Sequence, residues 1–123
     1  MATVFTNAAK AWVAAKLDGT ETDSPNRIGW GTGTTTAAAT DTTIETEAAE
    51  TRATATLSRV TTTVTNDTFQ AVGTLTSLSG QTIANVGLLD AASGGTLIVH
   101  ADHTGIPLLT GDAISYTIKL KFA

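Results

Sequence analysis

The alternation of apolar and polar positions runs longest over Arg52 to Leu78. Ala53, Ala55 and Leu57 face one way there, and Thr54, Thr56 and Ser58 the other. Further on, Phe69, Ala71, Gly73 and Leu75 oppose Thr68, Gln70, Thr74 and Thr76. A period of two over this length predicts half-buried β-strands. Asn66-Asp67 between the runs is turn chemistry, because short polar side chains tolerate a tight backbone. The stretch therefore predicts a long antiparallel hairpin. Val60 and Val64 lie on the opposite parity from Leu57, so a bulge near Arg59 is expected to re-phase the first strand.

The last strand has the cleanest pattern: Ile114, Tyr116, Ile118, Leu120 and Phe122 face in, and Ser115, Thr117, Lys119 and Lys121 face out. Residues 82–90 and 96–101 also read as strands, the second apolar on both faces and hence central. Arg27 to Trp30 predicts a short strand. Residues 104–112 contain Pro107 and two glycines and predict a corner. Residues 19–26 and 34–43 read as polar loops. Helical spacing is confined to residues 3–18, where Phe5, Ala8, Ala9, Trp12, Val13 and Leu17 share one face. Thr3 or Thr6 can cap that helix and Gly19 can stop it. Its apolar face can pack on the sheet or dock on a neighbouring subunit. Six or seven short strands with turns between them predict an antiparallel β-sandwich or a jelly-roll-like barrel with one N-terminal helix. Residues 1–123 form one β domain in this reading, with 1–18 as an N-terminal helical arm.

Composition narrows the class. Hydrophobic residues make up 41%, too many for a disordered chain, while charged residues reach only 15%. Threonine, roughly a fifth of the chain, suits the wet face of a sheet. A net charge of -4 with seven basic residues argues against a nucleic-acid partner. The absence of cysteine removes disulfides, thiol catalysis and thiolate zinc sites. No stretch approaches the roughly 18 apolar residues of a membrane helix. The start, MATVFTNAAK, lacks the pattern of a signal peptide, so a protein made in the cytoplasm is expected.

Candidate chemistry is thin. The segment from Ile44 to Glu50 carries Glu45, Glu47 and Glu50, and Glu45 and Glu47 would share one face of an extended strand, for acid–base work, a divalent cation, or solvated or Arg-paired surface charge. His100 and His103 flank Asp102, a spacing that can hold a metal if a third ligand comes from elsewhere. Gly31-Thr32-Gly33 lacks the lysine or second glycine spacing of a phosphate cradle, and reads as a tight turn. No nucleophile–base–acid set stands out. The expectation is a protein with no catalytic residues, no cofactor and no metal.

The order of several short motifs resembles a group of small tailed-phage virion proteins. The motifs are Ile28-Gly29-Trp30-Gly31-Thr32-Gly33, Asp41-Thr42, an acidic residue followed by Arg52, and Val60-Thr61-Thr62-Thr63 leading to Phe69. Val86-Gly87-Leu88-Leu89-Asp90-Ala91, Gly94-Gly95 and Gly111-Asp112 continue the series. The resemblance implies a structural virion protein, foremost a capsid decoration (cement) protein, with a tail or tail-fibre component as the alternative. It brings no catalytic residues. It implies the major capsid protein and further copies of the chain as partners, a trimer being expected, and the capsid surface as the location. Phe5, Trp12, Leu17 and Trp30 are the candidate interface residues. In the tail alternative, Trp30 beside glycines could stack on a sugar ring.

Overall fold

The computed structural model describes residues 1–122. Strands hold 45% of the residues and helix 10%, which makes the chain mainly β. In chain order the elements are β1 (Thr3–Phe5), α1 (Asn7–Asp18), β2 (Arg27–Gly31), β3 (Ala53–Thr54), β4 (Thr56–Val60), β5 (Thr68–Thr76), β6 (Gln81–Leu89), β7 (Leu97–Leu108) and β8 (Ala113–Lys121). They form a five-stranded sheet, β1-β7-β6-β2-β3, and a three-stranded sheet, β4-β5-β8, with antiparallel pairing throughout. One core joins both sheets and the helix. Ile28, Trp30, Val86, Leu88 and Ile98 meet Ala71, Leu75 and Ile118 from across the sandwich, and Ala9 and Trp12 from α1. Each large aliphatic side chain so buried contributes roughly 1.5–3 kcal/mol.

The predicted hairpin is present as β4 and β5, in unbroken register from Thr56↔Val72 to Val60↔Thr68. No bulge lies at Arg59. The irregularity comes earlier, at Ala55, where the chain leaves the first sheet and enters the second. β3 pairs with β2, β4 pairs with β5, and Ala55, buried between them, donates its N–H to Asn26 O. The alternation over 53–58 thus spans two sheets.

The N-terminal segment differs from the expected helix over 3–18. Thr3–Phe5 is a strand, with Val4 opposite His100 on β7. The helix begins at Asn7 because Thr6 caps it, its hydroxyl accepting from Ala9 N. The same hydroxyl donates to Leu97 O at 2.5 Å, which fixes the cap to the sheet. Gly19 ends the helix at φ 85, a left-handed conformation that glycine adopts without steric cost. Residues 1–18 are therefore stitched into their own sandwich.

The expected corner at 104–112 is also shorter than predicted, because β7 continues through Pro107 to Leu108. β1 covers β7 only at residues 99–101, so Pro107 stands on an open edge where its missing N–H leaves no gap in the ladder.

Candidate functional site

Residues 32–52 run back across the outer face of the first sheet. Ile44 fills the centre of this cover, packed against Leu89 and Leu97. Glycines on the sheet make the bed for it. A Cβ at Gly87 would lie 2.8 Å from Ile44 Cγ1, and one at Gly31 would lie 2.3 Å from the Glu45 carbonyl oxygen. The cover is bound to β2 through Ala48 N–Trp30 O at 3.0 Å, and Thr32 N–Thr46 O at 3.1 Å closes it on itself.

Beneath this cover lies a buried polar cluster. Asn85 Nδ2 donates to Gly33 O at 3.1 Å and Glu45 O at 3.0 Å, which sets the orientation of the amide. Its Oδ1 accepts from Glu45 N at 3.2 Å and faces His100 Nε2 at 3.0 Å. The other ring nitrogen of His100 lies 2.7 Å from Asp41 Oδ2. Oxygens of Asp41 and Asn85 therefore face both nitrogens of a buried imidazole. Asp41 also accepts from Ala38 N at 2.8 Å. That backbone bond, opposed by burial and helped by His100, holds its carboxyl below the usual value of 3.8. A cleft of about 320 Å³ opens above His100, Asp41 and Glu45, walled by threonines that include Thr35, Thr40 and Thr43. His100 Nε2 is taken up by Asn85, so the Asp41–His100 pair does not activate a hydroxyl.

A second group of contacts secures the far end of the cover. Arg52 makes a two-pronged ion pair with Glu47, at 2.8 Å and 2.9 Å. Its Nη1 donates to Ala91 O and Gly94 O, tying the cover to the β6–β7 turn. Glu50 is buried and accepts from Trp30 Nε1 at 2.8 Å, Leu78 N at 3.0 Å and Gln81 Nε2 at 2.9 Å. Burial pushes its carboxyl up, but the bonds from Leu78, Gln81 and Trp30 outweigh it and hold the value below 4.5. Among the described residues, every buried side-chain nitrogen and oxygen has a hydrogen-bond partner.

The residues singled out from the sequence are dispersed. Glu45 bonds to Thr35 and Glu47 to Arg52, so the two carboxylates do not act together. Thr46 between them has φ 49, which breaks the extended segment that would have put them on one face. His100 and His103 point to opposite faces of β7, as a three-residue spacing on a strand requires. His103 Nε2 pairs instead with Tyr116 Oη at 2.9 Å. The His-x-x-His tract therefore forms no metal site. Trp30, 1% exposed, is sealed in the core and unavailable for stacking on a sugar. Trp12 is buried with its Nε1 donating to Asp90 Oδ2 at 2.9 Å, and Phe5 packs against the core. Of the four candidate interface residues, only Leu17 stands in solvent, 85% exposed.

Sequence reading missed Asn85, and grouped Glu50 with Glu45 and Glu47 without foreseeing its burial. The available signals were an amide inside the apolar run Ile83–Leu89 and an acid close to Arg52. It also missed Glu21, Asp23 and Asp90, whose carboxylate oxygens lie within 4.8 Å of one another. Both oxygens of Asp90 already serve the fold, accepting from Trp12 Nε1 and Thr96 N. Comparison with protein-family models, curated proteins and solved structures gives no match.

Proposed function

We propose that the chain is a non-enzymatic structural protein of a bacteriophage particle, a decoration protein bound to the major capsid protein on the capsid surface. One observation carries this reading. Several of the residues whose order resembles virion proteins build the covered face. Gly29, Gly31 and Gly87 seat the cover, while Asp41 and Arg52 fasten it. Gly94 supplies a carbonyl to Arg52. Their roles are architectural.

The outer face of the second sheet supplies a surface for assembly. It presents Thr56, Ser58, Thr74, Thr76, Ser115 and Thr117 to solvent, with Lys119 and Lys121 at one end. Hydroxyls on a flat sheet can bond to a lattice with little charge desolvation. Repetition over a capsid lets individually weak contacts add up. Self-association, with a trimer as the expected form, belongs to the same reading. Cryo-electron microscopy of the phage particle tests it. The expected result is density for this sandwich on the capsid shell. Density in the tail alone would replace decoration with the tail-component alternative, and absence from the particle would end the structural reading.

A further inference from the structure

Large exposed apolar side chains gather at two opposite ends of the second sheet. At one end, α1 and the end of β8 enclose a groove of about 260 Å³ walled by Trp12, Val13, Leu17, Phe69, Leu120 and Phe122. Leu17 and Phe122, 61% exposed, form its rim. At the other end, the β5–β6 and β7–β8 loops bind each other through Ser77 N–Asp112 O at 2.7 Å and Gly111 N–Ser77 O at 2.8 Å. These loops hold out Leu78, 68% exposed, and Leu109, 72% exposed. The nine residues of β8 separate the ends by about 30 Å.

We propose that copies of this chain join end to end, with Leu78 and Leu109 of one copy seated in the Leu17–Phe122 groove of the next. One end is a cavity and the other a pair of projecting leucines on tight, cross-bonded loops. The two shapes are complementary to each other and not to themselves. The charges agree. Among the described residues, Lys16 is the one charged residue lining the groove, and Asp112 is the one charged residue on the leucine-bearing loops. A patch that is exposed, apolar and walled by aromatic side chains has the make-up of an interface centre. Because the two surfaces differ, the contact is heterologous. Such contacts close into rings when the rotation per copy allows it, and otherwise run on as filaments. This inference rests on the self-association in the reading above and supplies its interface.

Sedimentation velocity on the full chain over a range of concentrations tests it, with two double variants. Leu78→Ser with Leu109→Ser removes the knobs, and Leu17→Ser with Phe122→Ser removes the rim. All four side chains are exposed, and circular dichroism of each variant serves as the check on folding. Wild type is expected to assemble beyond a dimer. Each variant alone is expected to associate at least tenfold more weakly. An equimolar mixture is expected to form one-to-one pairs and stop there, because a single intact contact remains per pair. Assembly that survives in both variants would overturn this interface while leaving self-association standing. Failure of the mixture to pair, while wild type assembles, would also overturn it. Wild type that stays monomeric at every concentration would overturn both this inference and solution self-association, and leave capsid binding to be judged on its own test.

Discussion

His100 Nε2 donates to Asn85 Oδ1 at 3.0 Å beneath the 32–52 segment, and the same amide oxygen accepts from Glu45 N at 3.2 Å. The pair makes the sheet and its cover a single hydrogen-bonded unit, since Asn85 belongs to β6, His100 to β7 and Glu45 to the cover. Replacing His100 with Ala should cost about 2–4 kcal/mol in chemical denaturation, the scale of one lost bond to a carboxylate and one to an amide. Asp41 adds a pH dependence. Its folded value is depressed, chiefly by the Ala38 N–H, so its contribution is present at neutral pH and lost as pH falls below 3.8. Asp41→Asn should flatten the acid arm of the stability profile and leave the neutral region nearly level.

Gly31 is a tight point of the cover. Gly31→Ala would drive a methyl toward the Glu45 carbonyl, so the segment must lift, at about 1–3 kcal/mol. Limited proteolysis should then cut within residues 34–50. Gly80→Ala is the control, because its Cβ would lie 3.9 Å from the nearest atom, Leu108 O. It should fold and resist protease as wild type does.

Glu50 organises one end of the core. Glu50→Ala would strand the donors of Trp30 and Leu78 and leave Gln81 Nε2 with Ser77 Oγ alone, with an expected loss of about 2–6 kcal/mol at about 1–3 for each stranded donor. Acid should act in the same direction. The depressed Glu50 value means that its stabilisation fades as pH falls below 4.5. Tryptophan fluorescence during acid titration should therefore shift in wild type before global unfolding, and Trp12→Phe should retain that shift.

Tyr116 gives an alkaline counterpart. Burial pushes its phenol up to about 12, and it is the one tyrosine of the chain. Near-ultraviolet absorbance should show phenolate forming near pH 12 in the folded protein and near the ordinary value of 10.0 in denaturant. The sign follows from a raised folded value. Its stabilisation is complete below 10.0 and is lost as pH rises toward 12.

The parts of this architecture that the sequence displays are those set by neighbours in the chain. β8 alternates cleanly because one of its faces is core and the other solvent. Thr6 and Gly19 announce the two ends of α1, whereas Thr3–Phe5 has helical spacing and becomes a strand only through its pairing with β7. The sheet switch at Ala55 kept the alternation intact and so left no mark on the pattern. Pro107 read as a corner because nothing local tells that β1 stops short of it. The cover was least legible of all. Its low-complexity run of Thr and Ala looks like a surface loop, and Gly87, which seats Ile44, lies in a strand far along the chain. Trp30 looked available beside glycines, yet those glycines make room for the cover on one face while the indole turns into the core on the other.

Capsid binding tests the central claim most directly. Purified protein, mixed with undecorated capsids of the phage to which the proposal assigns it, should sediment with them, saturate at a fixed number of copies per capsid protein, and raise the temperature at which the shells come apart. Protein that stays in the supernatant at all concentrations and leaves shell stability unchanged would contradict the account.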